Sequence, residues 1–504
     1  MFMDKRFHTI LLAAITTLIM AIAGCSDQTH TDFDRLLVEL ASKDATIDSD
    51  DWSKITSFIE SHKAEMDDFY DNGNINANAV KSYISDLFAN RRPPLDINFT
   101  GIGTAKFMSV KFYLERSGSM VAYDAPEGDG RFKATIVKML NSLPGHNTDN
   151  KIYVVNSSIN AYPKGFDSFI ADSNIFEATK GIGDPSYTDF SAIFDSILNK
   201  TSSNELSILV TDMIYSTRNM AGVNPQKVFA EARGMTSAVF KDAVKDKGML
   251  ILKMKSSYDG FYYPYNSPSK GLAYNGQRPY YIIIVGSNDN MARITQDKSY
   301  STFAEFTSLP GFQNMYLFET SGLYKPYYSL LLRNGNISGR FQPLRGQGNR
   351  ITKIEGMAND SATGCTRLAL AVDLGGMLIP GNYLCDKANY QISSDTPVTL
   401  KSIVPISAKD MTPAEKKYIG TATHIMVLET KDIFHRQTVS IRLLNKMPEW
   451  VAASSCDDDT DCSAPNFPST TFGLSYLLNG IYDSYGLNSN GHPYYFDIEL
   501  EFDK

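Results

Sequence analysis

Phe107-Met108-Ser109-Val110-Lys111-Phe112-Tyr113-Leu114, followed directly by Glu115-Arg116-Ser117-Gly118-Ser119-Met120, joins an apolar run of strand length to a short loop rich in side-chain oxygens. An apolar, aromatic-rich run bounded by a Gly/Ser turn signal predicts a buried strand. Downstream, the spacing predicts a helix over Arg131 to Leu143, a strand over Lys151–Val155 and a helix over Phe190 to Leu198. Leu206-Ser207-Ile208-Leu209-Val210 reads as a short, fully buried strand, and Asn224 to Lys247 as a long amphipathic helix with Pro225 in its first turn. Met249 to Met254, Tyr280 to Val285 and Met315 to Phe318 complete the strands. Strands alternating with helices predict an α/β domain over residues 105–325: a doubly wound, mostly parallel sheet covered on both faces. Tyr258 to Arg278, rich in Tyr, Gly, Pro and Asn, reads as an insertion between two strands.

The flanks differ in character. Residues 25–100 carry helical spacing at Ile55, Phe58 and Ile59 and again at Val80, Tyr83, Ile84 and Leu87, with Asp50 and Asp51 as expected caps. Arg92-Pro93-Pro94 closes this helical stalk and linker. Residues 326–504 carry short strand-like runs at Thr366 to Val372, Val398 to Ile406, His424 to Leu428 and Val439 to Leu444. A short helix is expected near Phe472 to Tyr482, and the chain closes on a period-two strand from Phe496 to Phe502. This region is expected to form a mainly-β, sandwich-like domain.

Three elements carry the chemistry. Glu115, Ser117 and Ser119 follow the first strand, Tyr187-Thr188-Asp189 opens a helix, and Thr211-Asp212 ends the buried strand. In open α/β sheets the loops at the carboxyl ends of strands converge on the ligand crevice. Hydroxyls and carboxylates meeting at one point suit a hard divalent cation, magnesium, manganese or calcium, better than zinc. On these residues the chain resembles the von Willebrand factor A family. Its metal-ion-dependent adhesion site uses Asp-x-Ser-x-Ser, a threonine midway and an aspartate after the fourth strand. Ser117, Ser119, Thr188 and Asp212 match that pattern. Glu115 stands where the family has aspartate, and Met213 where it frequently has glycine. The resemblance implies that the ion leaves one coordination position to a carboxylate on a partner protein, so that the domain binds rather than turns over.

Two other classes were weighed. A serine hydrolase using Ser117 or Ser119 lacks a Gly-x-Ser-x-Gly elbow and a histidine partner. A metal-free scaffolding lipoprotein needs only that Glu115 be held by other groups. With a net charge of −8 and no basic block, nucleic acid is excluded as an expected partner.

The first residues read as an export signal. Lys5 and Arg6 precede an apolar run from Ile10 to Ile22, interrupted by Thr16 and Thr17, which ends in Ile22-Ala23-Gly24-Cys25. That ending resembles the bacterial lipobox, which implies removal of residues 1–24, diacylation of Cys25 and a lipid-anchored envelope protein. Ser26 in place of a retention aspartate favours the outer membrane. Four cysteines remain, and their spacing predicts the disulfides Cys365–Cys385, about the Gly375-Gly376 turn, and Cys456–Cys462. The latter would close the acidic loop Asp457-Asp458-Asp459-Thr460-Asp461, read as a solvated turn in preference to a calcium site.

Overall fold

The computed structural model describes residues 28–503, apart from 42–43, 64, 72–73, 93, 101–106, 145–148, 216–221, 268, 321, 433–435 and 490–492. The expected signal and Cys25 lie outside the described residues. The fold is mixed α/β.

Residues 28–41 (α1), Ser49–Ser61 (α2) and Ala77–Ala89 (α3) form the helical N-terminal part. They bury Phe33, Leu37, Trp52, Ile55, Ile59, Val80, Ile84 and Phe88 in a core of their own. The part is therefore a packed three-helix unit, with more structure than a stalk requires. The cap is Asp48, two positions before the first of the expected caps; it accepts from the amides of Asp50 and Asp51.

The central sheet contains β1 (Ser109–Glu115), β2 (Lys151–Val155), β3 (Ile159–Ala161), β4 (Glu205–Thr211), β5 (Lys247–Tyr262), β6 (Leu272–Ser287) and β7 (Phe312–Phe318). Their order across the sheet is β7-β5-β6-β4-β1-β2-β3. The expected parallel pairing holds for β2-β1-β4. The other half is antiparallel, because β6 returns between β4 and β5. Helices cover both faces. On one lie α4 (Arg131–Asn141) and, after α5 (Phe190–Lys200) and α6 (Pro225–Phe240), α7 (Asn288–Gln296). Phe132, Ile136, Met139, Met291 and Ile294 there meet Val110, Phe112, Leu114, Ile208 and Ile282. On the other face α5, α6 and α8 (Leu474–Asn488) bring Ile193, Phe194, Phe240, Leu477, Leu478 and Ile481 against Tyr113, Leu209, Ile251 and Ile283. Alternation along each strand thus feeds two cores. The helix α8 belongs to the C-terminal chain, yet it lies on α6. There a Cβ at Gly480 would stand 2.0 Å from Thr236 Oγ1, so only glycine permits the approach.

The expected insertion at Tyr258 to Arg278 is instead the outer part of β5 and β6. These strands pair from Lys247↔Ser287 to Tyr262↔Leu272, whereas β4 pairs with β6 only between Val285 and Tyr281. The remainder projects past the carboxyl ends of β1 and β4 as a two-stranded arm, about 25 Å long at the usual rise per residue. Period-two patterning failed there because the arm's inner face meets polar and aromatic groups and not an aliphatic core.

The C-terminal chain adds β8 (Tyr328–Leu330), β9 (Arg340–Pro343), β10 (Lys353–Ala358), β11 (Thr366–Val372), β12 (Tyr390–Ser393), β13 (Thr399–Pro405), β14 (His424–Thr430), β15 (Gln437–Leu444) and β16 (Tyr494–Phe502). They form two sheets, β8-β11-β14-β13 and β9-β10-β16-β15-β12. Leu368, Leu370 and Met426 of the first share a core with Ile441, Phe496, Ile498 and Leu500 of the second.

Cys365, Cys385, Cys456 and Cys462 are unbridged in this structure, and the geometry speaks against the expected Cys365–Cys385 pair. Cys365 adjoins the Thr366↔Thr430 end of the β11–β14 ladder. The Cys385 Sγ lies 3.6 Å from Nε2 of His424, which pairs with Val372 at the other end. About 20 Å of strand separates the two ends, far beyond the 7 Å Cα limit for a bridge. The Gly375-Gly376 segment leads into a further loop and helix rather than a tight hairpin. In the acidic loop, Asp458 and Asp461 accept from the amides and hydroxyls of Thr460 and Ser463. Asp459, read as solvated, is 1 % exposed.

Among the described residues no helix is long and apolar enough to cross a membrane.

Candidate functional site

The three predicted loops meet. Glu115 ends β1, Ser117 and Ser119 lie in the turn after it, Thr188 precedes α5, and Asp212 follows β4. Parallel pairing of β1 with β4 brings their carboxyl ends side by side. Thr188 is fixed from the other side, because the Asp189 amide donates to Asn156 O at 3.0 Å while the Asp189 carboxylate caps α5 by accepting from the Ala192 amide at 3.1 Å.

All five side chains are joined by hydrogen bonds in two groups. Ser119 Oγ donates to Asp212 Oδ2 at 2.6 Å, and Ser117 Oγ lies 3.1 Å from Ser119 Oγ. Thr188 Oγ1 donates to Glu115 Oε1 at 2.6 Å, and Thr211 Oγ1 donates to Glu115 Oε2. Thr211, adjacent to Asp212 in sequence, was not assigned a role from the residues alone; its hydroxyl also accepts from the Met213 amide at 2.9 Å. Asp212 Oδ1 accepts from the Ile214 amide at 3.0 Å.

Met213 has φ 59°, a left-handed conformation that favours glycine. This is the position at which the resembled family frequently has glycine. The bend is made here with a side chain that is fully buried, at a strain cost of order 1 kcal/mol.

Burial dominates the electrostatics. Glu115 and Asp212 are 1 % and 2 % exposed. Burial raises the Glu115 carboxyl well above the usual carboxylate range, and the neighbouring Asp212 charge adds to the rise against the hydroxyls of Thr188, Thr211 and the nearby Ser117. Burial likewise raises Asp212, opposed by the Ser119 hydroxyl, the Ile214 amide and the charge of Arg278. That guanidinium is itself buried, 4.0 Å from the Phe467 ring centroid and 4.8 Å from that of Tyr262.

The site opens into a cleft of ≈ 290 Å³ lined on one side by Asp184, Pro185, Ser186 and Tyr187 and on the other by Tyr263, Pro264 and Tyr265 from the tip of the arm. Tyr263 stands over the serine turn: a Cβ at Gly118 would lie 2.8 Å from its Cε2. Asp459 holds the arm from behind, accepting from Tyr262 OH at 2.7 Å and from the Tyr265 amide at 3.2 Å. The sequence places Tyr263 in an insertion and Asp459 in a solvated acidic turn; their roles at the cleft arise only when the arm folds over the sheet. Among the described residues no histidine lines the cleft.

Hydroxyl and carboxylate oxygens suit a hard cation, and the bonding pattern agrees with that use. Thr188 and Ser119 point their protons at carboxylates, which leaves oxygen lone pairs available to an ion. Because threonine hydroxyls engage both Glu115 oxygens, Glu115 fits as a group that orients ligands or acts through water. Among the described residues no group of three or more His, Cys, Asp or Glu gathers round one point, so such a site would rest on two carboxylates and the hydroxyls.

Comparison with family models, curated proteins and solved structures finds no match.

Proposed function

We propose that this chain is a lipid-anchored protein of the bacterial cell envelope that binds another protein through a von Willebrand factor A-like domain, with a divalent cation at a site of the adhesion type. Magnesium, manganese or calcium would be held by Ser117, Ser119, Thr188 and Asp212, with Glu115 behind them. A carboxylate from the partner completes the shell. The observation that carries this reading is the pairing of Ser119 with Asp212 and of Thr188 with Glu115 at adjoining strand ends. Two buried carboxylates in one cleft are costly without a compensating cation. Arg278 offsets part of one charge, and a divalent ion together with an incoming carboxylate would balance the rest.

Further support comes from strand order. The segment β3-β2-β1-β4, parallel through β2-β1-β4 with β3 antiparallel at the edge, supports a doubly wound reading, here extended by the antiparallel β6-β5-β7. The two C-terminal sheets sharing one core suit a sandwich-like domain. Anchoring rests on the lipobox-like ending at Cys25.

A second reading, a metal-free scaffold, draws support from the same hydrogen bonds, since the site can be satisfied by a protonated Glu115. Metal analysis of the full chain, purified with and without chelator, separates the two. One chelator-removable ion per chain supports the first reading, and a metal-free chain under both conditions supports the second.

A further inference from the structure

Away from the cation cleft, a cysteine and a histidine of the C-terminal chain stand as nucleophile and base. The short helix Gly381–Cys385 ends on Cys385, whose thiol is exposed. Its Sγ lies 3.6 Å from Nε2 of His424, the first residue of β14. The ring is held from its other side: Nδ1 lies 2.9 Å from Thr423 Oγ1, which also accepts from the Leu374 amide at 3.0 Å. A threonine oxygen has two lone pairs. With the amide on one and Nδ1–H on the other, the Nε2 lone pair faces the sulfur. Nucleophile, base and a third group that orients the base are the parts an activated thiol needs.

The surroundings fit the same use. Burial holds the half-buried His424 imidazole below its ordinary range, and the charge of Asp373 opposes that shift. The ring is therefore neutral near pH 7 and able to take a proton, and Asp373 stabilises the imidazolium that forms. Asp373 is itself fixed, accepting from the Gly375 amide at 3.0 Å. The other ionisable groups beside the pair are Asp386 and Lys387, which follow the thiol, and Tyr390 of β12. Gly381, Asn382, Asp386, Lys387 and Ala388 are all exposed, so the sulfur stands on open surface. Attack on a carbonyl requires donors placed for an oxyanion. Exchange between sulfurs builds no oxyanion and needs only access for the incoming disulfide. Among the described residues no group of three metal-ligating side chains includes the pair, and two ligands fall short of a zinc site.

We propose that Cys385, with His424 as its base, is a thiol–disulfide exchange site that takes up a thiol from a disulfide outside the chain. His424 Nε2 accepts the thiol proton, and Sγ attacks one sulfur of the incoming disulfide. The new S–S bond forms as the old one breaks, and the departing thiolate takes the proton from His424. One disulfide is consumed and one is made, so no further oxidant enters. Cys365 adjoins the opposite end of the β11–β14 ladder and does not reach the adduct. The site is independent of the cation cleft.

The test incubates the full chain with oxidised glutathione at pH 6 and pH 9 and follows the adduct by non-reducing peptide mapping. Insulin in place of glutathione distinguishes a protein disulfide from a small one as the source. An ordinary thiol is only about 0.3 % ionised at pH 6, and nucleophilicity falls with basicity. Cys385 of the native chain is expected to react about tenfold faster at pH 6 than Cys385 of the urea-unfolded chain, with the advantage gone at pH 9. His424→Gln should remove the advantage at pH 6, and Cys385→Ser should remove the adduct. Equal rates for native and unfolded chains at pH 6, or a folded His424→Gln chain as fast as the wild type, overturn the proposal. So does an adduct that forms first on Cys456 or Cys462.

Discussion

Thr188 Oγ1 donates to Glu115 Oε1 at 2.6 Å across 73 positions of sequence, and Thr211 donates to the other oxygen of the same carboxylate. The Glu115 carboxylate thus lies between two threonines, one from the loop before α5 and one from the end of β4. Glu115 thereby fixes the rotamer of Thr188 and engages the strand end that carries Asp212.

A pH dependence follows. The folded-state pKa of Glu115 is raised above its ordinary value of 4.5 by burial and by Asp212. Its contribution to stability is therefore fully present below about that value and is lost as pH rises through the folded pKa. The metal-free chain should melt at progressively lower temperature from pH 5 toward alkaline pH. Glu115→Gln, which keeps one acceptor oxygen for a threonine and cannot ionise, should show a flatter profile. Parallel melting curves for wild type and variant across that range would contradict the assignment. Since a cation needs the ionised form, metal affinity should rise with pH over the same window.

Gly118 and Tyr263 should be coupled. Gly118→Ala is expected to cost about 1 kcal/mol because the new Cβ meets the tyrosine ring. The cost should vanish in a Tyr263→Ala background, giving a coupling of similar size in a double-mutant cycle. Additive effects in chemical denaturation would place the ring elsewhere.

Asp459 should hold the arm. Asp459→Ala leaves Tyr262 OH and the Tyr265 amide without their acceptor, at about 1–3 kcal/mol. Hydrogen exchange should speed up at Tyr265 and along the arm, with β1 and β4 unaffected. Unchanged protection at Tyr265 would be the contrary result.

The thiols offer an independent check on the C-terminal chain. Brief maleimide treatment of the native protein should label Cys385, which is exposed, ahead of Cys365, which is 4 % exposed. All four thiols of the described residues should label after unfolding. A Cys365–Cys385 bridge found by non-reducing peptide mapping would mean that the β11–β14 register is wrong.

The legible part of the fold was the part with aliphatic strands. Lys151–Val155 and Thr366–Val372 fall where the pattern placed them, since short apolar runs between turn signals admit one reading. The arm was not legible, because Tyr258 and Arg278 are buried among aromatic rings that no periodic pattern announces. The helix near Phe472 to Tyr482 was anticipated, but its docking on α6 depends on a long-range glycine contact. At the site, Glu115, Ser117, Ser119, Thr188 and Asp212 were readable because each sits at a strand or helix end. Thr211, Tyr263 and Asp459 depend on tertiary neighbours. The Cys365–Cys385 pairing failed because loop spacing says nothing about which end of a ladder each cysteine adjoins.

The most direct test of the cation reading is titration calorimetry of the full chain with magnesium, manganese and calcium, alongside Asp212→Ala. Asp212 accepts from Ser119 and adds a charge that no hydroxyl replaces. The wild type should give a saturable heat for one ion per chain with at least one of the three metals. The folded Asp212→Ala chain should give none. No heat from the folded wild type with any of the three would contradict the reading and leave the metal-free scaffold in its place.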